Sequence, residues 1–567
     1  MKPLLTLAVL SALVLFVSDG RGAPSHAKQS SPALIASHTD SSAIPSTPST
    51  PGAAPSGAYV LTGWSELGMH CIDGKDYSIF AVLPPFNTIH ATLIRRAEPP
   101  TIITSGVTLT YEATPDTFGS INTISSTKTN FWSWVRVLFL VGPPPDVGLA
   151  NFHTQSLVPH AMRFNSQLGV FEATGVPTIP YDDSGRRNAY PMVKLVARDL
   201  QGNVLATASI VMAVSDELSC RLCHASGTDP AAKPRSGWEY NPDPAKDVKL
   251  NILKYHDDQN NIAPFLSALA AKGYNYQTSL YQTAKSGTSV LCDACHASNA
   301  LPGTGLPGIE SETHAMHSNH GPVINPATGI SLDNATSPFG SCYLCHPGLQ
   351  TRCQRGAMER LACMNCHGNV SRVGDPHRVG WMTLPSCQMC HNNGTRYTSA
   401  FDSSGQWRQT TDTRFATNPN TPAPGFSLYR FSAGHGRLFC MSCHNAPHAE
   451  FPTSQRNDSV LPMALQGYNA KLTECNICHT TLTATPNGGP HGTHLLGQQA
   501  WVNQHAQYAE DGRYTVCAYC HGSDYRGTPL SVTKVQRNFT GDDGQPIVLP
   551  AGYAVGCYDC HNGPTGG

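Results

Sequence analysis

Cys440-Met441-Ser442-Cys443-His444-Asn445-Ala446-Pro447-His448 contains the pattern on which the reading of this chain turns. Two thiols separated by two residues, with an imidazole directly after the second, match the attachment signature of a c-type haem. The thiols add to the two vinyl groups, and the adjacent histidine falls beneath the iron as its proximal ligand. The pattern occurs nine times. Its thiol pairs are Cys220 and Cys223, Cys292 and Cys295, Cys342 and Cys345, Cys363 and Cys366, Cys387 and Cys390, Cys440 and Cys443, Cys475 and Cys478, Cys517 and Cys520, and Cys557 and Cys560. The histidines that follow them are His224, His296, His346, His367, His391, His444, His479, His521 and His561. Eighteen of the twenty cysteines are used in this way. A zinc knuckle or a redox dithiol would account for one isolated copy, but zinc sites place their second ligand pair a dozen or more residues downstream, whereas every pair here carries its own histidine. The predicted cofactor is nine covalently attached haems c.

The amino terminus fits that chemistry. Met1, Lys2 and the apolar run from Leu4 to Val17 read as a secretory signal peptide, with cleavage after Ala23 or Ala27, so residues 1–27 are assigned to it. Covalent haem attachment requires export, and the two signals support each other. The run is too short to span a bilayer, and no later segment approaches twenty apolar residues. The 37 basic and 38 acidic residues balance, and no basic stripe with interleaved aromatics points to nucleic acid.

Residues 28–57 are dominated by Ser, Thr, Pro and Ala, as in Pro45-Ser46-Thr47-Pro48-Ser49-Thr50-Pro51, and read as a disordered tether. Residues 58–215 contain no haem motif. Their pattern is one of short strands between turn residues, with Val107, Leu109 and Tyr111 alternating and a hairpin expected from Met192–Ala197 and Val204–Val214. An all-β, sandwich-like haem-free domain is predicted there. Residues 216–567 form the expected nonahaem cytochrome c domain, mostly irregular with short helices around the motifs. Motif spacing has no fixed period, which excludes a repeat fold.

What fills the sixth position of each iron separates an electron carrier from an enzyme. The haem region holds ten further histidines: His256, His314, His317, His320, His377, His435, His448, His491, His494 and His505. Nine are needed for two histidines per iron, so one is surplus. His448 lies four residues after His444, and His435 five before Cys440. Five extended residues reach at most about 17 Å, too little to round a porphyrin edge, so these side chains are expected to serve neighbouring haems. Met316, Met358 and Met382 are the competing sixth ligands. Cys71 and Cys353 are the two cysteines outside the motifs, open to a mutual disulfide or to separate burial. His70, Cys71, His90, His153, His160 and Met162 match no blue-copper order and read as core or surface residues.

The serial motifs with surplus histidines, Gly434-His435-Gly436 before Cys440, Pro447-His448 after it, and Cys517 to Arg526 reading Cys-Ala-Tyr-Cys-His-Gly-Ser-Asp-Tyr-Arg together resemble a known group. It is the extracellular and outer-surface multihaem c-type cytochromes of metal-reducing, electrode-respiring bacteria, including those that polymerise into nanowires. The resemblance covers the haem region. Gly63-Trp64 and Gly68-Met69-His70-Cys71 look like the start of the haem-free leader domain of some members. The resemblance implies an extracellular or outer-surface location, with the periplasm as the other exported compartment, and metal oxides, electrodes or other cytochromes as partners. It also raises the prospect of a homopolymer. The expected role is electron conduction along low-potential bis-histidine haems rather than catalysis on a substrate. The alternative is a multihaem reductase of nitrite, hydroxylamine or sulfur oxyanions, which would need one iron with an open position.

Overall fold

The hairpin expected around residue 200 anchors one of two antiparallel sheets in the computed structural model. The model describes residues 51–565 apart from 53–54, 299–300, 302, 379–383, 393–394, 410–413, 415–432, 485–487 and 511. The signal peptide and most of the tether lie outside the described residues. The strands of the two main sheets are β1 (Tyr59–Ser65), β2 (Phe86–Arg95), β3 (Thr101–Ile103), β4 (Val107–Thr114), β5 (His160–Ala161), β6 (Arg163–Asn165), β7 (Val170–Pro177), β8 (Met192–Asp199) and β9 (Val204–Val211). In the first sheet the order is β1-β2-β7-β6, with β3 also paired to β2; in the second it is β9-β8-β4-β5. Register follows the side-chain pattern. In β4 Leu109, Tyr111 and Ala113 turn inward while the residues between them do not, and opposite them stand Ala197, Leu195 and Val193 of β8.

The two sheets face each other across one core that includes Leu61, Ile89, Leu93, Leu109, Tyr111, Phe171, Val193, Leu195 and Ile210. A glycine permits the closest approach: a Cβ at Gly63 in β1 would stand 2.4 Å from Leu195 Cδ1 and 3.1 Å from the His90 carbonyl oxygen. Helix α1 (Phe131–Phe139), which β-type patterning did not predict, interrupts this segment and buries Phe131, Val135 and Leu138 at helical spacing.

Beyond residue 215 the chain is made of short helical turns and loops, with one long exception. Helix α2 (Pro244–Gln259) starts where Asp243 accepts hydrogen bonds from the Ala245 and Lys246 amides and Pro244 occupies the first turn. Helix α3 (Glu312–His320) is capped by Ser311. Helices α4 (Cys363–His367) and α5 (Cys440–His444) are single turns formed by the thiol motifs themselves, and α6 (Val460–Gln466) follows.

The expected boundary near residue 215 is crossed by the packing. Leu461, Leu465 and Ile477 join the core between the sheets. A second cluster mixes Tyr77, Phe80, Phe86, Phe131 and Leu138 with Leu250, Leu253, Leu280 and Leu306. Trp64 of β1 stacks on Phe439, which directly precedes α5, with ring centroids 5.9 Å apart. Residues 42–567 accordingly form one compact unit.

A buried ion pair within the motif-bearing half reaches across that joint to the β-rich half. Arg355 donates through Nε to Asp458 Oδ2 at 2.5 Å and through Nη2 to Oδ1 at 3.1 Å, and a third donor nitrogen, Nη1, reaches the Gly68 carbonyl. The two side chains are 2% and 1% exposed. Breaking such a pair is costly because it strands one charge in a low-dielectric interior. Arg355→Met is expected to destabilise the protein by about 3–5 kcal/mol in guanidinium unfolding followed by tryptophan fluorescence, and adding Asp458→Leu should recover most of the loss.

Candidate metal centres

Each Cys-x-x-Cys-His motif is wound into a single helical or 3₁₀ turn. The histidine amide donates back to the first cysteine carbonyl, at 3.0 Å for His224 to Cys220, His296 to Cys292 and His479 to Cys475, and at 2.8 Å for His346 to Cys342. That i to i−4 bond sets both thiols and the imidazole along one side of the turn.

A second imidazole stands opposite most of them. If two imidazoles bind one iron from opposite faces through bonds of about 2 Å, with each ring centre roughly 1.1 Å behind its nitrogen, the centroids lie about 6 Å apart. The described residues include eight such pairs: His224 with His320 at 6.4 Å, His296 with His256 at 6.5 Å, His346 with His317 at 6.1 Å, His367 with His448 at 6.2 Å, His444 with His491 at 5.8 Å, His479 with His435 at 5.9 Å, His521 with His494 at 6.2 Å and His561 with His505 at 5.8 Å. The ring planes run from nearly parallel, 9° for His317 and His346, to perpendicular, 88° for His256 and His296. Axial ligation leaves that angle free. No group of three or more His, Cys, Asp or Glu side chains converges as a bare metal ion would need among the described residues. The histidines converge in twos, and the donor set fits haem iron held between two imidazoles.

Burial prepares these rings for ligation. It pushes His224, His346, His491 and His494 down to about 4 and His367 to about 3, with the facing or neighbouring histidines adding to the effect. Neutral imidazole keeps a lone pair for a metal. The other ring nitrogen is commonly held by the chain. His317 Nδ1 lies 2.9 Å from the Thr313 carbonyl, His505 Nδ1 2.9 Å from Val502, His521 Nδ1 2.6 Å from Val555, and His296 Nδ1 2.9 Å from Glu310. Each such bond fixes the tautomer that leaves Nε2 for the metal.

The pairs are interlocked. Helix α3 presents His317 to the motif at residue 342 and His320 to the motif at residue 220, while His491 and His494, three residues apart, face His444 and His521. His448 and His435, which flank the motif at 440, face His367 and His479 and not the nearby His444. Neighbouring motifs also approach through their thiols. Burial, then the proximity of Cys345, raises Cys220 to about 12, and Cys443 is raised to about 12 by burial and by Cys478. Trp501 lies flat on His494 at 4.3 Å, stacks with Tyr508 and is tilted 38° against His505, which places aromatic rings between the imidazoles that face the last two motif histidines.

Two of the ten spare histidines stand elsewhere. His314 Nε2 is 3.0 Å from Glu310 Oε2 and its Nδ1 meets the Gly374 carbonyl, so both ring nitrogens are engaged. The His377 side chain is 94% exposed and pairs with Asp375 at 2.9 Å. The ninth motif histidine, His391, lies near Arg396, Glu450, Lys471 and His444, and burial, with Arg396 next, pushes it down to about 4. Met316 is exposed on α3, and Met382 lies outside the described residues. Cys71 and Cys353 are free thiols, and Cys353 Sγ lies 3.6 Å from His448 Nδ1. In the β-rich segment His153 stacks on His160 at 4.6 Å and His90 lies against Trp64, Glu66 and Glu172. Sequence reasoning missed two carboxylates on motif histidines: Glu450 at 2.9 Å from His444 Nδ1 and Glu98 at 2.9 Å from His479 Nδ1. Glu450 is signalled only by its place two residues after His448, and Glu98 has no local signal.

Comparison of the chain with family models, with curated proteins and with solved structures finds no match.

The pairing yields a test at single residues. His505→Ala should leave one iron high-spin and able to bind carbon monoxide, whereas His505→Met should keep it low-spin and raise one potential. His377→Ala should change neither the spin state nor carbon monoxide binding, as read by absorption and paramagnetic resonance spectra.

Proposed function

We propose that this chain is an exported nine-haem c-type cytochrome that conducts electrons along low-potential haems, eight of them with two histidine ligands. The acceptor is outside the cell: a metal oxide, an electrode or another cytochrome. The observation that carries the reading is the set of eight histidine pairs at 5.8–6.5 Å, each joining a motif imidazole to one drawn from a different part of the chain. When bound, haem supplies reversible one-electron chemistry at a potential set by its axial ligands, burial and hydrogen bonding.

The chain's own residues account for the rest. The motif thiols would hold a haem by two covalent bonds, and each pair of facing imidazoles would supply the iron with two histidine ligands. Two basic imidazoles favour the oxidised metal and so lower the potential. Segments shared between pairs, such as α3 and the loop carrying His491 and His494, hold adjacent centres at short range. No helix among the described residues is long and apolar enough to cross a membrane.

The reductase alternative needs an iron open to substrate with acid and base residues beside it. The facing histidines leave no such position at the eight paired motifs. A filament subunit remains compatible with conduction, because a head-to-tail contact that does not close generates a fibre.

The proposal is tested on the exported protein. Mass measurement should give nine covalent haems, and a redox titration should give a broad wave mostly below the hydrogen electrode. A single sharp transition at high potential, or nitrite turnover with a high-spin ferric signal, would overturn it. Electron microscopy of secreted material decides whether the unit polymerises.

A further inference from the structure

Two of the eight paired motif histidines differ from the others in what holds Nδ1. His444 and His479 face carboxylates, while His296 and His521 face backbone carbonyls, and the buried Nδ1 atoms of His224 and His561 have no hydrogen-bond partner. Glu450 is local to His444, but Glu98 arrives from the other end of the chain. It sits just past β2, in the segment that carries no haem motif.

The approach of Glu98 is built. Ala97 forms a parallel bridge to His479, and the Thr480 amide donates to the Ala97 carbonyl at 3.3 Å. Arg96 Nη2 donates to the carbonyl of Asn476, inside the same motif, at 2.9 Å. Ile477 of the motif is buried in the core between the two sheets. The motif at 475 is therefore docked on the end of β2, and the Glu98 carboxylate meets the imidazole as part of that dock.

We infer that Glu98 is a positioning residue for the haem of Cys475, Cys478 and His479, and that its carboxylate makes this centre, together with the one at His444, harder to reduce than centres whose histidines meet only carbonyls or nothing. The inference rests on the haem reading above. An ionised carboxylate only accepts hydrogen bonds, so Nδ1 of His479 carries the proton and Nε2 keeps its lone pair. Drawing that proton toward a negative charge raises the basicity of the ring as a ligand, which favours ferric over ferrous iron. A backbone carbonyl exerts the same pull more weakly. The Glu98 side chain is 45% exposed, so as an ion pair it adds little to stability, and replacing it tests the charge without unfolding the site.

The experiment compares wild type, Glu98→Gln and Glu98→Ala as full-length holoproteins. Haem is counted by mass, spin state is read by paramagnetic resonance, and midpoints come from an optical redox titration. The expected result is nine covalent haems in all three proteins, with both variants keeping the spin states of the wild type. In both variants, the amplitude of one haem should leave the low-potential end of the wave, with its reduction favoured about tenfold, or about 59 mV for one electron. An unchanged wave with nine covalent haems would overturn the inference. So would a missing haem, or a high-spin haem absent from the wild type, in Glu98→Gln, which would make Glu98 a structural brace and not a tuning group. Wild-type protein without nine covalent haems would instead overturn the haem reading itself.

Discussion

A turn that places two thiols and one imidazole on the same side can offer only one face of a metal centre a ligand. A metal centre bound there would need its second ligand from elsewhere in the chain, and among the described residues a second imidazole faces eight of the nine motif histidines. His224 meets His320 and His367 meets His448 across long stretches of sequence, so segments far apart in the chain come together at these imidazole pairs. Two regular elements carry facing histidines: α2 brings His256 to His296, and α3 brings His317 to His346 and His320 to His224. The apolar clusters made wholly within this half are small, such as Tyr468 with Ala470 and Val535, and its larger apolar groups are shared with the β-rich half, as where Leu250, Leu253 and Leu280 pack with Tyr77, Phe80 and Phe131.

Patterns confined to a few neighbouring residues were legible from the chain alone. The alternation at Val107, Leu109 and Tyr111 and the turn at residues 200–203 correspond to β4 and the β8–β9 hairpin, because strand period and turn chemistry are local. The antiparallel, sheet-rich character of the first half was readable for the same reason. Helix α1 was not, since Phe131 to Phe139 is rich in aromatic and β-branched residues that favour strands until tertiary packing of Phe131, Val135 and Leu138 decides otherwise. The histidine partners were not legible as a map: the sequence offered nine partners and one surplus, whereas among the described residues eight of the ten face motif histidines and His314 and His377 stand elsewhere. His314, His317 and His320 look alike in sequence, yet three residues advance a helix about 60° short of a full turn, so each points differently. The structure turns two of them to motif histidines and leaves His314 between Glu310 and Gly374.

The β-rich half is bound into the motif-bearing half at several independent points. Trp64 against Phe439, Arg355 between Asp458 and Gly68, and the bridge from Ala97 to His479 use three different kinds of force: dispersion, buried charge and backbone hydrogen bonding. A joint of that variety resists sliding, because no single displacement relaxes all three.

The cross-pairing also has a direction along the chain. For His296, His346, His479, His521 and His561 the facing imidazole precedes the motif, whereas for His224, His367 and His444 it follows. In a polypeptide delivered amino end first, those five motif histidines would find the facing imidazole already present as the motif emerges. The other three would meet theirs only when later segments arrive. A chain truncated between motif and partner would therefore lack the facing imidazole at His224, His367 or His444 alone among the eight pairs.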